Sequence, residues 1–122
     1  MKFDHHTIVL LIRPADAPEL SQEALDAIQD QHLAHQAELH DRGLVIAAGP
    51  FAGQDDERLR GVAVLSVDAA EARRLYSDDP AVKAGRLLIE VMTWLVPAGN
   101  VQFSDVVFPR SLAEATGAGE TP

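Results

Sequence analysis

The stretch Ser21–Gly43, SQEALDAIQDQHLAHQAELHDRG, decides how this chain is read. Ser21 is a good N-cap, able to accept an orphan backbone N–H, and Glu23 puts negative charge where the helix dipole favours it. Leu25, Ile28, His32, His35 and Leu39 recur at about 100° per residue and so fall in one stripe. Gly43, after Arg42, supplies the stop. The spacing predicts a helix over 22–42 whose buried face carries two histidines.

On either side lie short apolar runs rich in β-branched residues. Thr7-Ile8-Val9-Leu10-Leu11-Ile12-Arg13 reads as a buried strand closed by Pro14, and 14–20 as a loop. Leu44 to Phe51 reads as a second strand running into a turn at Gly49-Pro50. The charged stretch 53–60 is an exposed connection, and Gly61 to Val67 a third strand. Asp68 caps a second helix that carries Ala72 and Leu75 or Tyr76 inward. Asp78-Asp79-Pro80 breaks that helix, 81–85 forms one further turn, and Leu87 to Leu95 is a fourth strand stopped by Pro97. The order β-α-β-β-α-β is the split pattern of ferredoxin-like α+β folds with a four-stranded antiparallel sheet. Residues 100–109 include Val101, Phe103, Val106, Val107 and Phe108, too apolar for a free tail, and read as an extra C-terminal strand or arm. The domain is expected over 1–110, with a flexible tail over 111–122.

The whole-chain numbers bound the function. A length of 122 residues suits one domain. There is no cysteine, which removes disulfides, thiolate catalysis and cysteine-ligated metals. The formal net charge is −9 with only ten Lys and Arg and no basic run, so nucleic acid is not an expected partner. No apolar stretch approaches the roughly 20 residues that span a bilayer. Met1-Lys2-Phe3-Asp4-His5-His6 lacks the basic-then-apolar order of a signal peptide, and a cytoplasmic location is expected.

The fourth strand argues for a partner. One of its faces carries Leu87, Ile89, Val91, Thr93 and Leu95, the other Leu88, Glu90, Met92 and Trp94. The first strand is apolar on both faces too. Two helices cover one face of such a sheet, so the other is expected to meet a second copy in an isologous homodimer. The competing cover is the 100–109 arm folded over its own sheet.

The residues with chemistry cluster on the helix stripe. A histidine facing the sheet loses hydration and requires a hydrogen-bond partner. A carboxylate on one ring nitrogen would fix the tautomer and make the other a usable base, and Asp79, before Pro80, is the candidate. His32-x-x-His35 could also begin a metal site, but no motif supplies a third ligand, and no metal is expected. His5 and His6 are expected in an exposed lead-in segment. Arg13 and Arg60, at strand ends, are candidates to neutralise an anionic substrate. Gly49, Pro50 and Phe51 can bring backbone close to a ligand, and Trp94 is counted with the substrate contacts. Each of these also has a plain structural reading as a strand terminus or turn.

These segments together resemble the YCII-related family. The resemblance rests on Gln31-His32-Leu33-Ala34, on Gly49-Pro50, and on Asp79-Pro80-Ala81-Val82-Lys83-Ala84-Gly85, in that order, and spans roughly residues 7–96. It implies a ferredoxin-like subunit forming a dimeric α+β barrel, with a His–Asp pair in a cleft that corresponds to His32 and Asp79. Other dimeric α+β barrels include muconolactone isomerases and small monooxygenases. This chain departs from the pattern at Ala81, where an aromatic residue is common, and in its 100–109 arm. The expected function is a cofactor-independent enzyme for acid–base proton transfer, of isomerase or lyase type, on a compact organic molecule. The alternative is a ligand-binding or accessory dimeric module in which the His–Asp pair is structural.

Overall fold

In a computed structural model, which describes residues 1–117, the elements run β1 (Phe3–Ile12), α1 (Gln22–Asp41), β2 (Val45–Pro50), β3 (Leu59–Leu65), α2 (Ala69–Ser77), α3 (Pro80–Lys83), β4 (Leu88–Pro97) and α4 (Leu112–Thr116). The sheet order is β2-β3-β1-β4, with every neighbouring pair antiparallel. This is the expected ferredoxin-like α+β arrangement, with β1 and β3 at the centre.

β1 starts four residues earlier than its apolar run, because β4 continues to Pro97 and pairs with it as far as Phe3. His5 and His6 are therefore strand residues rather than a lead-in segment. His6 lies between Trp94 and Phe103, at ring-centroid distances of 6.0 and 5.2 Å.

α1 is capped as its sequence predicts, with Ser21 Oγ accepting the Ala24 N–H at 3.2 Å, and Gly43 at φ +75° ends it. The core lies between this helix layer and one sheet face. Val9, Leu11, Val45, Ala63 and Leu65 meet Leu39 of α1 and Ala72, Leu75 and Tyr76 of α2. The opposite sheet face has no helix. Leu88, Met92 and Trp94 stand 55%, 39% and 44% exposed there, in register with Ile12, Ile8 and His6.

Residues 101–109 add no strand to the ladder and form an arm. The arm touches the open face at His6 and then crosses to the end of α1. There Phe108 stacks on His40 at 3.8 Å, while Nδ1 and Nε2 of His40 face the carbonyls of Val45 (2.7 Å) and Val106 (3.0 Å). Arg110 pairs with Asp41. A flexible tail was expected from residue 111, but Leu112–Thr116 form helix α4, tied to α1 by the Leu112 N–H on Asp30 Oδ1 at 2.7 Å. The rest of that expectation, residues 118–122, lies outside the described residues.

Among the described residues, no helix is long and apolar enough to cross a membrane.

Candidate active site

Asp79 is set by the backbone around it. The residue before a proline is disfavoured in the helical region, so Asp79 stays extended (φ −62°, ψ 133°) and Pro80 opens α3 with the φ that a first turn requires. In this pose Asp79 is the N-cap of α3, and its Oδ2 accepts the Ala81 N–H at 3.0 Å. The other carboxylate oxygen points at α1. Oδ1 lies 2.8 Å from His32 Nδ1 and 3.2 Å from His35 Nδ1.

Asp79 is fully buried and His32 is 6% exposed. Burial alone would raise the carboxyl pKa. The hydrogen bonds from His32 and His35 outweigh it and bring the pKa down to about 2. An ionised carboxylate only accepts, so both Nδ1 atoms carry the proton. His32 Nε2 has no hydrogen-bond partner among the described residues, and the ring lines a cavity of about 660 Å³. A neutral imidazole with its Nδ1–H on a carboxylate keeps Nε2 as the acceptor. The arrangement can take up a proton at Nε2, give it back, and stabilise the imidazolium formed in between.

A second polar pair stands behind the first. Gln36 lies one turn beyond His32 on α1, and its Oε1 accepts the hydroxyl proton of Tyr76 at 2.8 Å. Tyr76 is fully buried, and burial followed by the nearby Asp79 charge raises the pKa of its phenol, which stays protonated as the donor. The Gln36 NH₂ is left for the cavity, which this residue also lines. Tyr76 packs edge-on to His35 at 6.3 Å.

The cavity lies between α1 and the ends of β1, β2 and β3. Of the residues singled out from sequence, His32, Arg13, Gly49, Pro50 and Arg60 line it, with Asp79 directly behind His32. Phe51 and Trp94 are not among its lining residues; Trp94 lies on the open sheet face. Gly61 of β3 stands against Gly49, and a Cβ on it would sit 2.8 Å from the Gly49 carbonyl oxygen. Gly61 thus lets the β2 backbone approach closely where both strands border the cavity.

Four contributors went unread in the sequence: Gln36, the His35 contact to Asp79, Arg86, and α4 through Leu112 and Ala115. For Gln36 a signal existed, since i+4 from His32 is the same helix face. Among the described residues, no group of three or more His, Asp or Glu has the geometry of a metal site.

The model of the YCII-related domain matches residues 7–95, a span that contains His32, His35, Gln36, Tyr76 and Asp79. This chain belongs to the YCII-related family. Among solved structures, it is similar to the 5-chloro-2-hydroxyhydroquinone dehydrochlorinase of Burkholderia phenoliruptrix AC1100, solved with 2,5-dihydroxybenzoquinone. That similarity has 21% identity, covers 73% of this chain and 92% of the other, and has a TM-score of 0.48. No curated protein matches the sequence significantly. The arm and α4 lie beyond the part of the chain that the YCII-related model covers.

Proposed function

We propose that this YCII-related protein is a small-molecule enzyme that moves a proton between two positions of a compact organic substrate, in an isomerase- or lyase-type reaction. His32 Nε2 is the acid–base group, and Asp79 holds the ring and offsets the positive charge that forms on it. His35 shares that carboxylate, Gln36 offers an amide N–H to a substrate oxygen, and Arg13 and Arg60 are substrate contacts. The observation that carries this reading is one side chain with two different ends. His32 has Nδ1 on a buried carboxylate, leaves Nε2 without a hydrogen-bond partner among the described residues, and lines a cavity large enough for a ligand. A histidine serving only to satisfy buried polar groups has no need of that cavity.

The test is hydrogen exchange rather than turnover of a known substrate. Small carbonyl compounds with acidic C–H bonds are incubated in deuterated water, and label uptake is followed by NMR. Wild-type protein is expected to label at least one compound, and His32→Gln to abolish the labelling while keeping the fold. Equal labelling by both proteins refutes the role of His32. Protein that labels nothing while His32→Gln merely unfolds more easily points to the binding-module reading.

The assembly proposed is a homodimer through the open sheet face. It is supported by the apolar side chains left uncovered there, Leu88, Met92 and Trp94 beside Ile8, Leu10 and Ile12.

A further inference from the structure

Three arginines, Arg13, Arg60 and Arg86, line the same cavity as His32, in a chain with ten Lys and Arg in all and a net charge of −9. Like charges so gathered repel, and the arrangement needs a reason. Two of the three have local partners. Arg60 donates to the Glu57 carbonyl at 3.1 Å and lies 3.8 Å from its carboxylate. Arg86, set by the turn at Gly85 (φ +74°), donates to the Pro18 carbonyl at 2.9 Å. One acidic side chain, Asp26, also lines the cavity, and it is bonded by Gln22.

Arg13 is different. Its Nε is buried with no hydrogen-bond partner, and its guanidinium makes no ion pair among the described residues. Desolvation, then Arg86, then Arg60, all lower its pKa, so the fold works against this charge. A buried donor without an acceptor is costly, and an apolar side chain would fill the same path at no such cost. An anion in the cavity would supply that acceptor and balance the charge.

We infer that the arginine end of the cavity is a carboxylate-binding subsite, and that the ligand is a small amphiphilic organic acid. Its carboxylate lies on Arg13, Arg60 and Arg86, and its hydrocarbon part runs along Leu25, Ile28 and Leu112. A carboxylate suits the place because guanidinium forks match its planar shape. The helical wall is mixed, and its apolar members, Leu25, Ile28 and Leu112, give the rest of the molecule somewhere to go. As a substrate class, this rests on the acid–base reading above, since it takes the bound acid to be the molecule that His32 deprotonates. The anion site itself stands on the arginines.

The experiment follows the arginine Nε–H signals of ¹⁵N-labelled full-length protein. Acetate, butanoate, hexanoate and benzoate are titrated in, with inorganic phosphate and chloride compared at the same ionic strength. The expected result is a saturable shift of the Arg13 signal with carboxylates, tightening about fourfold for each added CH₂ that packs on Leu25, Ile28 and Leu112. Arg13→Met is expected to weaken binding at least about tenfold while folding as well as the wild type, and Arg86→Gln to weaken it in the same direction. His32→Gln should still bind carboxylates. Binding retained in that variant, with label exchange lost, supports both readings. Exchange by the wild type without carboxylate binding overturns the anion site alone, and carboxylate binding without exchange overturns the acid–base role alone. Phosphate or chloride binding as tightly as carboxylates, or Arg13→Met binding like wild type, overturns the inference.

Discussion

His32 Nδ1 and Asp79 Oδ1 meet at 2.8 Å across 47 residues of chain, one carried by α1 and the other by the start of α3. Asp79 reaches α1 from its place as the cap of α3, and its charged carboxylate gives the His32 Nδ1–H a buried acceptor.

Acid should find this link first. The folded pKa of Asp79, about 2, lies below the roughly 3.9 of an unfolded aspartate. The stability it contributes is fully present above pH 4 and is lost as pH falls toward 2. The loss should be on the order of 2 kcal/mol. Urea unfolding between pH 2 and 6 checks this, and Asp79→Asn should flatten that part of the profile while lowering stability at neutral pH.

Tyr76→Phe removes the donor to Gln36 and leaves its Oε1 buried without a partner. A destabilisation of about 1–2 kcal/mol is expected. The freed amide should also rotate, so the Gln36 side-chain NH₂ signals in an NMR spectrum should move or broaden while those of distant residues stay put.

Gly61→Ala places a methyl group 2.8 Å from the Gly49 carbonyl oxygen, and backbone at both ends cannot yield as a side chain does. The β2–β3 pair must part at the cavity floor. A stability loss of about 1–3 kcal/mol is expected from denaturant midpoints, comparable with other overpacking substitutions.

Trp94→Glu puts a charge on the open sheet face, at its β4 side. If a second copy covers that face, light scattering after gel filtration should give the dimer mass for wild type and the monomer mass for the variant. Equal masses would rule out this face as the interface.

His40→Ala removes the ring that Phe108 stacks on and the contact to the Val106 carbonyl. Limited proteolysis should then cut within 100–110 well before the wild-type chain is cut, with the ferredoxin-like core left intact.

What the sequence disclosed follows the range of the forces involved. Periodicity and caps are local, so α1 and its limits were legible from Ser21, the stripe and Gly43. The split order of elements gave the sheet. Asp79 before Pro80 was legible as a candidate partner for a helix histidine, and its pairing with His32 only through what the resemblance to the YCII-related family implies. Arg86 was not, since its place depends on how the Gly85 turn meets Pro18, a tertiary fact. Nor was the early start of β1, because Asp4, His5 and His6 are polar and only pairing with β4 makes them a strand. Helix α4 was hidden for a related reason. Ala- and Glu-rich residues read as tail unless something binds them, and here Asp30 does.

The histidines, the aspartate and the arginines all fall within residues 7–95, whereas Pro109, Leu112 and Ala115 close the cavity from outside that span. One side of the room is thus encoded apart from its polar groups. Changes in the last twenty-odd codons can alter which molecules fit without touching His32 or Asp79.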